Sequence, residues 1–424
     1  MKKTVITFLF VLIAFVMNVF DHEKETLVLK NTSILDVVKG EWVNDVDVVI
    51  KGSVIQEINK YSSKKVYQNA KVIDLEGCFL IPGLIEGHTH ITPIPEKNLT
   101  IALKHGVTAI RDMAGDGSYL KLLKEAVESG ELVGPDIYFS ALMGGKELIM
   151  NDSRVKISTP SNYNLGEAPW MRRVDENSNI TQIIKEAKEC GATGIKMYAY
   201  LSSDLVNKLT DEAKKQGLKV WAHWEVYPAT PEDVINSGVD AVSHVYFLLT
   251  PPNWNYKDGS TVLDASNLNQ ARNEVLFSKM RANNIFLDPT IVVARKIFSS
   301  NPDKIKVAEL KKAVYNIVKT AYKNQVKIIA GTDIFFPSDE TVKLPLHEEI
   351  ESLVTMVEMS PADAIKSATI NNAEVLGIEN TQGTIEVEKI ANIVVLNDNP
   401  LEDIFNIEKV KFVIKNGIIF NKEF

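Results

Sequence analysis

The stretch Gln216-Gly217-Leu218-Lys219-Val220-Trp221-Ala222-His223 carries a pattern that repeats along the middle of the chain. An amphipathic segment ends near a glycine, a short apolar run follows, and the run ends in an imidazole. Glycine just past a helix favours the left-handed backbone that closes the helix, and an uninterrupted apolar run is typical of a strand buried in a parallel sheet. The stretch therefore predicts a helix, a turn and a buried parallel strand.

The same unit recurs on both sides of this stretch. A glycine at position 106, 191 or 238 precedes an apolar run at residues 107–110, 195–197 or 239–242. Similar runs lie at residues 84–85, 137–139, 285–287 and 326–330. About eight strands with intervening helices over roughly 290 residues predict an α/β fold, a (β/α)₈ TIM barrel. A doubly wound open sheet is the alternative.

The two ends of the chain have a different texture. Short β-branched runs separated by glycine turns fill residues 26–80, and the same texture returns at residues 393–396 and 410–414. Such runs predict an antiparallel sheet. We therefore predict a small β-sandwich domain built from residues 24–82 plus 380–424, around a barrel domain of residues 83–379.

Residues 1–20 read as a leader. Met1-Lys2-Lys3 precedes an apolar stretch at residues 5–20, which is the pattern of a secretory signal peptide. Because no small-x-small cleavage site and no cysteine for lipid attachment follow, an uncleaved N-terminal anchor is the alternative. We predict export to the periplasm or the extracellular space, with membrane attachment only if the leader is retained.

The overall composition excludes several classes of protein. The 424 residues are 45% hydrophobic and 24% charged, which is globular and not disordered. A net charge of −8 without a long Lys/Arg block argues against nucleic acid as a partner. Only Cys78 and Cys190 occur, so the chain has no cysteine framework for disulfides or metal. The expected partner is a small-molecule substrate, and the oligomeric state is left open.

Five residues that can bind a metal end the predicted strands. They are His88, His90, His223, His244 and Asp333. Alternate residues of a strand share a face, so the pair two apart directs both imidazoles the same way. Active sites of such barrels lie at the C-terminal ends of the strands. Burying these groups at one mouth without a cation would be costly, so the pattern predicts a metal site.

Further motifs accompany these strand ends. They occupy residues 82–90, 106–108, 111–112, 194–196, 331–333, 361–365, 368–369, 371–373 and 376–377. Together they resemble the amidohydrolase superfamily, and its imidazolonepropionase and Xaa-Pro dipeptidase-like branch is the most similar. The resemblance covers residues 27–417. Two departures stand out: Glu86-Gly87 replaces the usual Asp before the histidine pair, and residues 224–227 lack the dipeptidase pattern for holding a substrate carboxylate.

The resemblance implies a role for Lys196. In binuclear relatives the matching lysine is carboxylated by CO₂ and bridges two divalent ions, whereas mononuclear relatives use no such lysine. An unmodified ammonium facing two cations would be repelled. A lysine that reaches solvent or binds a substrate carboxylate is the alternative. The interpretation is a binuclear centre with carboxylated Lys196.

The resemblance also implies the remaining roles. His88 and His90 would hold the deeper ion with Asp333, and His223 and His244 would hold the outer one. Zinc is the expected metal, although Mn, Fe or Co suits these ligands. A metal-bridged hydroxide would hydrolyse an amide-like C–N bond, a small peptide bond included, while Asp333 moves the proton. An ester or lactone is also possible. The alternatives are a mononuclear deaminase or cyclic-amidine or imidazolone ring hydrolase, and a catalytically silent binding scaffold.

Other residues near the predicted mouth are candidates for substrate contact. Two irregular inserts, at residues 143–175 and 250–260, follow strands and would overhang the mouth. The first carries Trp170, Arg172 and Arg173, where an arginine could bind a substrate carboxylate or remain a solvated charge. The remaining candidates are His347 at a helix start near the mouth, Asp288 and Thr290 as substrate contacts or caps, His105 as a surface helix-end residue, and His22 beside the leader.

Overall fold

A computed structural model describes residues 26–92, 94–251 and 263–421. The predicted leader, His22 and most of the second insert lie outside these ranges. None of the helices formed within them combines the length and the apolar character that crossing a bilayer requires. Export and membrane attachment therefore stay predictions.

The strands within the described ranges number seventeen. They are β1 (Thr26–Asp36), β2 (Glu41–Lys51), β3 (Val54–Lys60), β4 (Ala70–Asp74), β5 (Phe79–Pro82), β6 (Leu84–Thr89), β7 (Val107–Asp112), β8 (Asp136–Gly144), β9 (Glu167–Ala168), β10 (Met171–Arg173), β11 (Gly194–Met197), β12 (Lys219–His223), β13 (Ala241–Ser243), β14 (Phe286–Asp288), β15 (Ile393–Leu396), β16 (Val410–Lys415) and β17 (Ile418–Asn421).

Thirteen α-helices are formed in the same ranges. They are α1 (Lys97–Lys104), α2 (Gly117–Ser129), α3 (Lys146–Asn151), α4 (Ser153–Ile157), α5 (Ile180–Glu189), α6 (Ser203–Lys215), α7 (Pro231–Asn236), α8 (Gln270–Ala282), α9 (Ile291–Ser299), α10 (Lys304–Lys323), α11 (Pro345–Thr355), α12 (Pro361–Ser367) and α13 (Ile370–Leu376). Short 3₁₀ helices lie at Val245–Leu249, Ala265–Asn267 and Ile404–Glu408.

The two ends of the chain share one sheet. Its strand order is β17-β16-β15-β5-β1-β2-β3, and β4 lies beside β1. Strand β5 joins the ends, because it pairs in parallel with β1 and antiparallel with β15. Leu29, Ile50, Leu80 and Val395 are fully buried in the core of this domain. The small β domain predicted from both chain ends is confirmed.

The middle of the chain forms the predicted barrel. Strands β6, β7, β8, β11, β12, β13 and β14 pair in parallel in that order. Residues 326–330 close it, since the Ile329 amide donates to the Leu287 carbonyl at 2.9 Å and the Gly87 amide donates to the Ala330 carbonyl at 2.9 Å. The closure confirms the (β/α)₈ barrel and excludes the open sheet.

The eighth strand is less regular than its apolar sequence predicts. Only Ile328 forms a strand bridge, to Leu287. The Ala330 amide donates to the Ser367 carbonyl at 3.1 Å, and the Asn372 side chain donates to the Ala330 carbonyl at 2.9 Å. Backbone groups that would extend the strand are thus used by α12 and α13.

Two glycines let the first and eighth strands approach each other. A Cβ at Gly87 would lie 2.4 Å from Asn372 Oδ1, and one at Gly331 would lie 2.6 Å from His88 Cβ. Both distances are too short for a side chain without backbone movement. The glycines therefore bring the ends of the two strands, with His88 and Asp333, into one place.

The first insert folds over the barrel mouth. Strand β8 extends to Gly144, beyond the residues that pair with β7. Strand β10 pairs with this extension of β8, and Met171 lies beside Leu142. Helices α3 and α4 lie between these strands in sequence. The insert therefore adds an ordered wall at the C-terminal end of the barrel, as predicted.

Candidate metal centre

The strand ends bring the six predicted site residues together. His88 lies in β6 and His90 just after it, Lys196 in β11, His223 at the end of β12, and His244 just after β13. Asp333 follows the eighth strand. All of them except His88 line one cavity of about 350 Å³. His88 lies behind it, against Lys196 and Asp333.

Asp333 lies close to three of the histidines. Its Oδ1 lies 3.0 Å from His90 Nε2 and 3.6 Å from His88 Nε2, and its Oδ2 lies 3.9 Å from His244 Nδ1. One ligand atom each from His88, His244 and Asp333 falls within 4.8 Å of the others. Two imidazoles and a carboxylate at such distances fit a divalent cation.

His223 lies beside this group and packs against two aromatic rings. Its ring centroid is 4.4 Å from that of His244 and 3.9 Å from that of Tyr198. Neither ring nitrogen has a hydrogen-bond partner in the described part of the chain, although the residue is only 4% exposed. A buried imidazole with both nitrogens unbonded is costly. The donor set therefore fits a bound metal.

The buried histidines favour the metal-binding form of imidazole. Burial lowers the pKa of His88, His223 and His244 well below the usual value, and neighbouring positive groups lower each pKa further. Neutral imidazole offers a lone pair to a metal, whereas the protonated ring does not.

Lys196 is buried among these rings. Its Nζ has two hydrogen-bond partners in the described part of the chain, the Met113 carbonyl at 3.3 Å and His88 Nε2 at 3.4 Å. Burial lowers the pKa of Lys196 to about 8. The amine of Lys196 thus lies among the buried histidines, and in the described ranges no carboxylate is hydrogen-bonded to it.

Asp288 fixes the orientation of His88. Its Oδ2 lies 2.6 Å from His88 Nδ1 and accepts a hydrogen bond from Ser243 Oγ at 2.8 Å. The other ring nitrogen then faces the site. Arg111, fully buried, lies 3.5 Å from the same oxygen and stacks on Trp221 at 4.7 Å. Asp288 is thus neither the substrate contact nor the cap that the sequence suggested.

Thr290 likewise supports a histidine. Its Oγ1 lies 2.9 Å from His244 Nδ1. His244, Thr290 and Asp333 all have left-handed backbone, with φ of 72°, 51° and 55°. Such backbone is strained for residues other than glycine and concentrates at functional sites. Of these three residues, His244 and Asp333 line the cavity.

Glu86 holds the backbone of the site in place. In the described part of the chain its carboxylate has no hydrogen bond to an imidazole. Its carboxylate accepts hydrogen bonds from the His88 amide at 2.9 Å, the Thr332 amide at 3.0 Å and the Thr332 hydroxyl at 3.0 Å. It ties the first strand end to the eighth. Glu86-Gly87 stands where related sequences usually have Asp. The His88 imidazole still has a carboxylate partner, because Asp288 holds its ring.

The three insert residues considered for substrate contact lie outside the cavity, and the solvated alternative fits Arg173. Trp170 is buried with its indole donating to the Ser158 carbonyl at 3.0 Å, and Arg172 pairs with Glu186 at 2.6 Å. Arg173 is exposed, and none of the three lines the cavity. The sequence predicted that the insert lies over the mouth. It did not show which side chains of the insert face the cavity.

Arg154 and Tyr198 line the cavity instead. Arg154 lies in the short helix α4, and its Nη2 lies 2.5 Å from both Asp152 Oδ2 and Tyr198 Oη. The Tyr198 ring in turn packs edge-on against His223. Nothing in the sequence distinguished Arg154 from the other arginines, because a helix of five residues has too little periodicity to show which face is buried.

His347 does not line the cavity of the metal centre. Its buried Nε2 lies 2.9 Å from the His105 carbonyl, at the end of α1, where the chain enters β7 from the N-terminal end of the barrel. His105 is partly buried beside it, with ring centroids 6.1 Å apart, and is not a fully exposed surface residue. The imidazole of His347 is thus used by the His105 carbonyl and does not contact the cavity as a substrate-binding residue would.

We expect His347 to make the fold sensitive to acid. Burial and, to a smaller extent, the neighbouring His105 lower its pKa from the usual 6.5 to about 3. Below about pH 6.5 the unfolded chain takes up a proton that the folded chain refuses, so the free energy of unfolding falls as the pH drops toward 3, by at most about 1.4 kcal/mol per pH unit. His347→Gln keeps a donor for the His105 carbonyl and does not titrate.

Urea unfolding at about pH 7.5 and about pH 5 tests this, and the wild type should lose about 2 kcal/mol more than His347→Gln between the two. At about pH 8.5 the difference between the two proteins should match that at about pH 7.5, because neither side chain is charged there. Equal losses on acidification would contradict the prediction.

Comparisons with known proteins agree with this architecture. The sequence model of the amidohydrolase family matches residues 79–419. An imidazolonepropionase of Pseudomonas fluorescens is 23% identical over 89% of this chain and 94% of its own length. An adenine deaminase of Bacillus velezensis is 38% identical over 21% of this chain. The first four curated relatives are matched over only 15% to 26% of their own length.

Solved structures show the same fold at low sequence identity. A Xaa-Pro dipeptidase with bound methionine superimposes with a TM-score of 0.73 at 22% identity, covering 94% of this chain and 100% of the other. The ochratoxinase of A. niger gives a TM-score of 0.74 at 20% identity, covering 94% and 96%. At these identities the likeness shows the fold.

Proposed function

The chain belongs to the amidohydrolase family, and on that premise we propose that it hydrolyses an amide-like C–N bond of a small molecule at a binuclear metal centre. The observation that carries the proposal is His223, a buried imidazole whose two nitrogens lack a hydrogen-bond partner in the described part of the chain, beside His244. A bound cation would relieve that deficit. The imidazolonepropionase that resembles this chain over most of its length supports a C–N bond as the target.

The residues divide into two groups of ligands. His88, His90 and Asp333 would hold one ion, and His223 with His244 would hold the second. A carboxylated Lys196 would join them, because its amine lies against His88 on one side and near the Tyr198 ring, which packs on His223, on the other. When bound, divalent ions such as zinc supply activated water and polarise a carbonyl group.

Asp333 is the residue placed to move a proton. Its side chain is 19% exposed, faces the cavity and lies within 3.0 Å of His90. A carboxylate at the cavity wall can take the proton of the attacking water and deliver it to the leaving amine. Asp288 holds His88, and Glu86 holds the backbone of both strand ends, so the acceptor is positioned in advance.

Removal of metal tests the proposal directly. The purified protein should contain about two zinc-like ions per chain. Chelation should abolish hydrolysis of those N-acyl amino acids or dipeptides that the untreated protein cleaves. Adding zinc, manganese or cobalt should restore the activity. Release of ammonia from a cyclic amidine, with about one ion per chain, would instead indicate the mononuclear deaminase. A fully active metal-free protein would overturn the proposal.

We expect Arg154 to bind a carboxylate of the substrate. It lines the cavity, and Asp152 holds its guanidinium by bonds of 3.0 Å to Nε and 2.5 Å to Nη2. Arg154→Ala should raise the Michaelis constant for carboxylate substrates about tenfold or more, since a charge-assisted hydrogen bond contributes about 1.5–3 kcal/mol.

The C-terminal amides of the same compounds and the variant Arg172→Ala are the controls for this prediction. Arg172 lies in the same insert but pairs with Glu186 outside the cavity. Neither control should show the effect. An equal rise for carboxylates and their amides would contradict a carboxylate-binding role for Arg154.

The location of the protein is part of the proposal. The lysine-led apolar leader supports export to the periplasm or the extracellular space, and retention of the leader would attach the protein to a membrane. Fractionation of cells that express the full chain, with sequencing of the mature N-terminus, would distinguish the two.

A further inference from the structure

Three large apolar side chains are exposed around the cavity of the metal centre. Ile157 is 62% exposed, Phe335 53% and Ile297 42%. They come from separate parts of the chain: α4 in the insert, the loop after Asp333, and α9. All three line the same cavity as five of the six predicted site residues. We refer to Ile157, Ile297 and Phe335 as the apolar rim.

The cavity wall continues the apolar rim inward. The apolar residues that line it include Met113, Leu142, Val155, Met171 and Val293. Val293 and Ile297 are four residues apart on α9, so one face of that helix serves both the wall and the rim. Single exposed apolar residues are common on protein surfaces, but a group of them continuous with an apolar cavity is the pattern of a ligand-binding site.

Polar groups also line this cavity. The predicted metal ligands that line it, together with Tyr198, lie at or near the ends of the barrel strands, and Asp152 and Arg154 come from the insert. A volume of about 350 Å³ lies within the range of pockets that enclose small molecules. The cavity thus joins a reactive polar end to an apolar entrance.

We propose that this site takes a substrate with a bulky apolar group, an aryl group or an acyl chain of medium length, which packs between Ile157, Ile297 and Phe335. The amide bond of that substrate rests on the proposed function, whereas binding of the apolar group does not. Small polar amides gain no affinity from the rim, because they are too short to remove its three side chains from water.

Binding of simple carboxylic acids tests the rim without hydrolysis. Acetate, butanoate, hexanoate and octanoate are titrated into the metal-loaded protein by calorimetry. Affinity should rise about fourfold per added methylene until the cavity is filled. Ile157→Ser and Phe335→Ser should each weaken octanoate binding about tenfold and leave acetate binding unchanged. Leu122→Ser is the matched control, since Leu122 is 63% exposed on α2 and does not line the cavity.

The outcomes separate the inference from the proposed function. A flat affinity series, or a gradient that survives both rim substitutions, would overturn the apolar site. A second series measures hydrolysis of N-acetyl-, N-hexanoyl- and N-octanoylglycine. A binding gradient without turnover of any of them supports the rim while the hydrolase proposal fails. Hydrolysis of the N-acetyl compound as efficiently as the N-octanoyl one would retain the hydrolase and overturn the rim.

Discussion

Asp333→Asn is expected to lower the turnover number about a thousandfold or more, because an amide cannot accept the proton of the attacking water. General acid–base groups contribute about 10²- to 10⁴-fold to such reactions. Loss of a metal-binding carboxylate should add to the effect. The assay is the initial rate at saturating substrate, with metal content measured on the same sample.

Asp339→Asn is the matched control for this substitution. Asp339 lies six residues further along the same segment, is exposed, and accepts a hydrogen bond from the Thr341 amide at 2.9 Å. It should leave the rate within about twofold of the wild type, as surface substitutions usually do. An Asp333→Asn protein that keeps the wild-type turnover number would refute the proton-transfer role.

Lys196→Ala is expected to reduce bound metal from about two ions per chain to about one or fewer and to lower the specificity constant about a thousandfold. The alanine cannot be carboxylated, so the two groups of ligands lose their shared bridge. Millimolar acetate or propionate should restore part of the activity, because a free carboxylate can occupy the space that the side chain leaves.

Lys415→Ala is a control for the loss of a buried lysine. Lys415 is 5% exposed and pairs with Asp136 at 2.7 Å, outside the cavity of the metal centre. This variant should be less stable but should keep about two ions per folded chain. If Lys196→Ala retains both ions and the full rate, the bridging role is wrong and a mononuclear centre becomes the better account.

The barrel and the small sheet followed from patterns that act locally. Helix-ending glycines and short apolar runs reflect backbone preference and burial. Both can be inferred from the sequence residue by residue. The eighth strand was harder to define, because its Ala330 bonds to Ser367 and Asn372 and thereby gives up regular pairing. Periodicity contains no information about such distant partners.

The candidate site residues could be predicted because each lies at or near the end of a strand, at the same face of the barrel. Asp288 was a candidate by the same rule because it ends β14, but its role as the partner of His88 depends on a contact between distant strands. Arg154 could not, because the side chains of an irregular insert are directed by tertiary packing. Metal number, metal identity and carboxylation of Lys196 stay predictions.

The placement of β5 has a consequence for the timing of folding during synthesis. One of its neighbours, β1, precedes it closely, whereas the other, β15, is made more than 300 residues later. The inner face of the small domain must therefore stay uncovered while the ribosome completes the entire barrel. A chain released before residue 393 would expose Leu29 and Leu80, so premature termination should yield aggregated protein even though every predicted metal ligand has been translated.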